Sequence, residues 1–536
     1  MGNGFQKSFN VDGRYGGRGK DNRRPNILLI TCDQWHGDCV SARGHPVVRT
    51  PNADALASDG TLFANHFAGA APCSPARACL YTGRYQMTNR VCRNGSPLDS
   101  RFGNLALWAR ALGYDPTLFG YTDVAPDPAR HAPNDPVLTS YEGVLPGFTV
   151  RQLLPEHQKQ WLSWLALRGV DTSAGVPGIH RPVRATAEVS KAAPIYSRDE
   201  TPTAFLTDEF GRWLSEQEGD RPWFAHLSFI SPHPPFVVPE PFASMYDPDD
   251  GPAFARAARW KDEAATHPWL HDLLRRLGKS KFIPGAKGKV HDWTEREFRT
   301  IRSIYYGMIS EVDSQLGRIW QWLRQRGAWK DTVIVLTSDH AEMMGDHWML
   351  GKGGWFDGSY HIPLIIKPAG RTKRPQRVDA FTEAVDLVPT LIEAMGGTPP
   401  PYLDGRSLVP WLSGGMPDDW RDCAHWEFDF RTIAKPEGRL GLPPQSSNLS
   451  VIRSKSVKYV HFGGGLPPLL YDLAEDPGEM CNLADDPAWR NTRLEFAERL
   501  LAWRARHLDQ TLALVDLTEH GPVIFDPARK TKASGP

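Results

Sequence analysis

Pro25-Asn26-Ile27-Leu28-Leu29-Ile30-Thr31-Cys32-Asp33-Gln34 is a short apolar run behind a breaker, and it ends in two polar side chains. No polar residue interrupts its aliphatic centre, so the spacing predicts a strand covered on both faces. Thr332-Val333-Ile334-Val335-Leu336-Thr337-Ser338-Asp339-His340 has the same form. Further strands are predicted over 115–120, 223–230 and 363–366. Between them lie helices opening at Thr50-Pro51-Asn52, over 105–112, through Val312, Leu316, Ile319 and Leu323 to Gly327, and over 380–395. Strands alternating with helices give an α/β sheet with helices on both sides. The polar residues gather just past the strand ends, where such sheets place their sites.

Residues 126–200 are Pro-rich without clear periodicity and read as a long insertion over the active face. From about 420 the pattern changes to short alternating runs, 449–453, 458–462 and 469–472, followed by a helix over 489–507. That predicts a small antiparallel subdomain. The expected division is a flexible arm over 1–24, a large α/β domain over 25–415, a sheet-and-helix subdomain over 416–510 and a tail over 511–536.

The chain has 536 residues, with 62 Lys+Arg against 62 Asp+Glu. A zero net charge supplies no global field for nucleic acid or an anionic membrane, so neither is an expected partner. The first residues are Gly-rich and basic without an apolar run, and the expected compartment is the cytoplasm. Seven cysteines, an odd number without a CxxC pair, read as reduced thiols.

The two strand ends carry Asp33-Gln34 and Asp339-His340. Either pair alone is a weak signal, because acidic residues at strand ends serve equally well as helix caps. Together they offer hard oxygens and a nitrogen, a set that suits manganese or calcium, with zinc also accommodated. Between them lies Cys73-Ser74-Pro75-Ala76-Arg77-Ala78-Cys79-Leu80-Tyr81-Thr82-Gly83, with Cys73 predicted at a helix start. His233, in His-Pro-Pro-Phe after a predicted strand, is the natural general acid. Lys352 lies among glycines that let it approach an anion closely. Asp346-His347 reads as support for ligands.

The Cys73 segment resembles the sulfatase signature, C-x-P-x-R with a later Thr-Gly. In that family a maturation enzyme oxidises the cysteine to formylglycine. A hydrated aldehyde supplies a hydroxyl nucleophile that a thiol cannot, and its second hydroxyl lets the product leave without an attacking water. Arg77, one turn on, would hold the diol and neutralise charge. Over about 25–510 the chain resembles the sulfatase branch of the alkaline phosphatase superfamily. It is most similar to the phosphonate monoester hydrolase and phosphodiesterase group, through Cys32-Asp33-Gln34-Trp35, Arg93-Asn94, Gly120-Tyr121-Thr122, His233-Pro234-Pro235-Phe236 and 458–462.

The resemblance implies an α/β/α sandwich with a smaller C-terminal antiparallel sheet. It implies one divalent metal ion held by Asp33, Gln34, Asp339 and His340 with the Cys73 product, and catalytic Cys73, Arg77, His233 and Lys352. Asn94, Tyr121 and position 123 would line the substrate site. The expected reaction is hydrolysis of phosphonate monoesters and phosphodiesters with sulfate esters as a side activity. The alternatives are a dedicated aryl or alkyl sulfatase, or an inactive anion-binding homologue. The expected partners are a small ester, the maturation enzyme and further copies of the chain in a homo-oligomer. Three residues depart from the family pattern: Asp123 for Thr, Ala341 for Gly and His361 for Arg. A carboxylate at 123 would repel a dianion and favour a cationic or hydroxyl-bearing leaving group.

Overall fold

The structure is a computed structural model that describes residues 24–183, 187–217, 221–370, 376–432 and 439–524. The expected N-terminal arm lies outside the described residues apart from Arg24. Along the chain the strands are β1 (Asn26–Cys32), β2 (Thr61–Phe67), β3 (Ala70–Ala71), β4 (Pro116–Gly120), β5 (Thr149–Leu153), β6 (Phe224–Phe229), β7 (Thr332–Thr337), β8 (Leu364–Lys367), β9 (Gln376–Glu383), β10 (Cys423–Asp429), β11 (Asn448–Ser454), β12 (Val457–Phe462), β13 (Leu469–Asp472), β14 (Val515–Thr518) and β15 (Gly521–Ile524), the last two forming a separate antiparallel pair.

Eight strands form the main sheet in the order β5-β4-β6-β1-β7-β8-β2-β9. β1 is parallel to both β6 and β7, and β8 alone runs antiparallel to its neighbours. β1 is buried on both faces, as its aliphatic run requires. Leu28 and Ile30 pack into one core, and Ile27 and Leu29 into the core on the opposite face. The helix Glu295–Gln325 fills the first core with Ile301, Ile304, Ile309, Val312, Leu316 and Leu323. Its Thr294 hydroxyl and Glu297 carboxylate satisfy each other's backbone N–H groups, which sets its start.

Two sequence expectations need correction. Residues 126–200 are not without regular structure: β5 lies inside them and forms the edge of the main sheet beside β4. Its side chains are mostly exposed, so no apolar run announces it. Residues 380–383 are strand rather than helix, because β9 pairs with β2 there, and the helix begins only at Leu387. The small sheet has the order β13-β12-β11-β10-β3. It takes its last strand from Ala70–Ala71, immediately before Cys73, with Glu427 opposite Ala70 and Phe428 opposite Ala71. No helix among the described residues is long and apolar enough to cross a membrane.

Candidate active site

Asp33 follows β1, Tyr121 follows β4, His233 follows β6, and Asp339 with His340 follows β7, all at the same edge of the sheet. Cys73 reaches that edge as the first residue of the buried helix Cys73–Thr82. Gln34 turns there with φ 69°, in the left-handed region that asparagine, aspartate and glycine normally occupy.

Asp33, Cys73, Asp339 and His340 each present one donor atom within 4.8 Å of the others. His340 Nε2 stands 3.6 Å from Asp33 Oδ1, 3.7 Å from Asp339 Oδ2 and 3.1 Å from Cys73 Sγ. Its Nδ1–H donates to the Ala341 carbonyl, so the lone pair is on Nε2 and faces the cluster. Burial, helped by Lys352 and His233, lowers His340 to about 4 against the pull of the two aspartates, so the ring is neutral. Burial alone would raise Asp33, but His233, His340, Arg77 and Lys352 together carry its carboxyl far below the usual range. A neutral imidazole lone pair converging with two buried carboxylates is a donor set that fits a divalent cation.

Arg77 serves that cluster. Its Nε donates to Asp339 Oδ2 at 2.8 Å, and one terminal nitrogen donates to Asp33 at 3.2 Å and Tyr121 at 3.0 Å. The other donates to Ser228 Oγ at 2.8 Å. The guanidinium therefore compensates two carboxylates that burial would otherwise penalise heavily. Tyr121 also donates to Asp33. The Cys73 thiol is pushed far up, by burial first and then by Asp33, so it stays protonated and is a poor nucleophile as it stands.

Gln34 is held at both ends of its amide. Its NH2 donates to Glu342, and its Oε1 accepts from Lys352 Nζ at 2.6 Å. Glu342 is itself fixed by the N–H groups of Met344 and Gly351 at 3.0 and 2.7 Å. These bonds fix which way the amide faces, its oxygen toward Lys352 and its nitrogen toward Glu342. Lys352 is raised to about 12: burial would lower it, and Cys73, Asp33 and Asp339 outweigh that. His233 donates Nδ1–H to the Pro234 carbonyl at 2.8 Å, leaving Nε2 free, and burial with Lys352 lowers it. Asn94 Oδ1 accepts from the Ser74 N–H at 3.0 Å, beside Cys73.

The structure brings Asp33, Gln34, Cys73, Arg77, Tyr121, Asp339, His340 and Lys352 into one bonded cluster, with Asn94 and Asp123 reaching it through Ser74. Three expectations shift. Asp123 is buried and accepts from Ser74 Oγ at 3.3 Å; burial, Asp33 and Glu156 push its carboxyl well up, so it does not bring the full negative charge expected of it. His361 lies in a neighbouring cleft, donating to the Ala64 carbonyl at 3.0 Å and facing Asp38 at 3.5 Å, where Arg43 already pairs with Asp38. Asp346 and His347 support the 255–263 segment instead of the ligands, through Ala255 N–H and Glu263. The chain leaves the cluster there through left-handed Met344 and Gly345, and Glu342 takes the supporting part. Sequence reasoning missed Glu342 and Ser228. Glu342, two residues past His340, reads as an ordinary loop acid.

The chain matches the sulfatase family over residues 25–397 and the C-terminal domain described as N-sulphoglucosamine sulphohydrolase over 345–506. It is 40% identical over 503 residues to the multifunctional alkaline phosphatase superfamily protein PehA of Trinickia caryophylli, covering 91% of this chain and 97% of that one. The crystal structure of a phosphonate monoester hydrolase from Agrobacterium radiobacter is 61% identical, with TM-score 0.90, covering 94% of this chain and all 100% of the other. An arylsulfatase of Clostridium perfringens is 25% identical across 89% of this chain and 94% of its own length.

Proposed function

Because the chain belongs to the sulfatase family of the alkaline phosphatase superfamily, we propose that this ester hydrolase acts on phosphonate monoesters and phosphodiesters, with sulfate esters as a secondary substrate. The observation that carries the phosphonate preference is the 61% identity, across 94% of the chain, to an enzyme named for that reaction. The ion would be held by Asp33, Gln34, Asp339 and His340 together with the residue made from Cys73, and manganese or calcium suits those donors. When present, the ion supplies Lewis acidity and the family's formylglycine supplies the nucleophilic oxygen.

The remaining steps belong to side chains of this protein. Lys352 stays cationic and binds an anionic oxygen of the substrate. Asn94, its carbonyl committed to Ser74, offers its NH2 group to a second oxygen. His233, with its Nδ1–H held by the Pro234 carbonyl, presents Nε2 to the leaving oxygen and delivers a proton there from its imidazolium form, which its lowered pKa makes a stronger acid. Arg77, paired with both aspartates, holds them in place while charge moves. Gln34 contributes no negative charge beside Asp33, where a second carboxylate would.

The test is a steady-state comparison of 4-nitrophenyl phenylphosphonate with 4-nitrophenyl sulfate, using protein co-produced with a formylglycine-generating enzyme. The phosphonate is expected to have the larger kcat/KM. A preference for the sulfate by orders of magnitude would select the dedicated arylsulfatase reading instead.

A further inference from the structure

His36, Asp38 and His361 meet just past the Gln34 turn. Each offers one donor atom within 4.8 Å of the other two. The rings of His36 and His361 stand edge to face, with centroids 5.9 Å apart. Backbone bonds fix the place: Gly37 N–H donates to the His361 carbonyl at 2.8 Å, and His36 N–H donates to the Tyr305 hydroxyl at 2.9 Å. Both imidazoles are buried, and Asp38 is exposed. The three line a cleft of about 560 Å³ that also takes in His45, Tyr306 and Asp346. Among the described residues, none assigned above to the active-site ion or to catalysis lines that cleft.

The acceptors around the cluster settle where its lone pairs point. A carbonyl can only accept, so His361 Nε2, 3.0 Å from the Ala64 carbonyl, carries the proton, and the neutral ring has its lone pair on Nδ1. That nitrogen stands 3.5 Å from Asp38 Oδ1. Two electron-rich atoms face each other there, and a positive charge is needed between them, either a second proton on the ring or a metal ion. His36 turns its Nδ1 lone pair toward the same residue, where it accepts the Asp38 N–H at 3.1 Å. Arg43 pairs with Asp38 through Oδ1 at 2.8 Å and is anchored separately on the Ala64 carbonyl, so it leaves Oδ2 clear. Two imidazole nitrogens with one carboxylate suit zinc or a similar late divalent ion, unlike the oxygen-rich set of the active site. Three protein ligands beside an open cleft leave a further position to water or a ligand from solution. We propose that His36, Asp38 and His361 form a second metal site, for a zinc-like divalent ion, separate from the active-site ion. A metal there ties the turn that carries Gln34 to the segment entering β8.

Calorimetric titration of the demetallated, matured enzyme with zinc tests this by stoichiometry, whichever ester the enzyme prefers. The unsubstituted protein is expected to bind two equivalents per chain. His361→Arg keeps a positive charge facing Asp38 but offers no lone pair. It should preserve the fold, checked by an unchanged Tm, and bind one equivalent. His36→Gln should weaken the same equivalent by more than the about 10–100-fold that loss of an outer partner costs. Asp339→Asn should lose the active-site equivalent and keep this one. Zinc binding that neither His361→Arg nor His36→Gln lowers overturns the site, and leaves His361 as a protonated partner of Asp38.

Discussion

Gln34 shows how much of the site depends on one unadvertised carboxylate. An amide can present either its oxygen or its nitrogen to a cation, and Glu342, by accepting from Gln34 Nε2, leaves the oxygen on the side of Lys352. Burial raises Glu342 to about 7, against its own backbone hydrogen bonds and Gln34. Glu342→Ala should therefore weaken divalent-metal affinity by about 10–100-fold, the usual cost of losing an outer partner of a ligand. Metal titration of the demetallated protein reads this directly; unchanged affinity would show that Gln34 needs no such orientation. Cys73 and Arg77 were legible because the family signature they match is a fixed spacing along the linear chain. Glu342 was not, because its burial depends on Gly351 folding back over it. Asp123 was visible as a departure, but its altered charge follows first from burial and then from neighbours far away in sequence, Asp33 and Glu156 among them.

At the level of elements, β4 and β6 must approach closely for Arg77 to reach Ser228. Gly120, with φ 108°, ends β4 there, and a Cβ on it would fall 2.1 Å from the Ser228 carbonyl oxygen. Gly120→Ala should destabilise the fold by about 3 kcal/mol or more, through strain at a left-handed position and a backbone clash. The denaturant midpoint measures it, and a shift worth well under about 1 kcal/mol would show that the strands can part cheaply. The buried strands of the main sheet were legible because covered strands are continuously apolar. β5 was not, since an edge strand with an exposed face has no such run. β9 was misread because its residues 380–383 border a true helix whose apolar spacing masks them.

At the scale of the whole molecule, the small sheet and the main domain are joined by β3, so the C-terminal strands buttress the backbone leading to Cys73. That connection was not legible, because nothing in the Ala70–Ala71 pair marks a strand. The core also sets a pH dependence. Burial lowers His226 to about 3, where it sits between Tyr81 and the Leu29 carbonyl. The unfolded chain takes up that proton near pH 6.5. A depressed folded pKa means the contribution is complete above about 6.5 and is lost as pH falls toward 3. Glu311, raised to about 7 by burial, acts in the opposite sense, so the effect is read as a difference between proteins. Between about pH 6.5 and 5 the unsubstituted protein should lose about 2 kcal/mol more stability than His226→Gln. Urea titrations at the two pH values decide this, and parallel losses would place the protonation elsewhere.

The most direct test of the central claim is the turnover of 4-nitrophenyl phenylphosphonate plotted against the fraction of Cys73 found as formylglycine by peptide mass. The samples would be made with graded amounts of the maturation enzyme. Activity should rise in proportion to the converted fraction and extrapolate to zero at none. Equal turnover from protein whose Cys73 peptide carries only thiol would contradict the account.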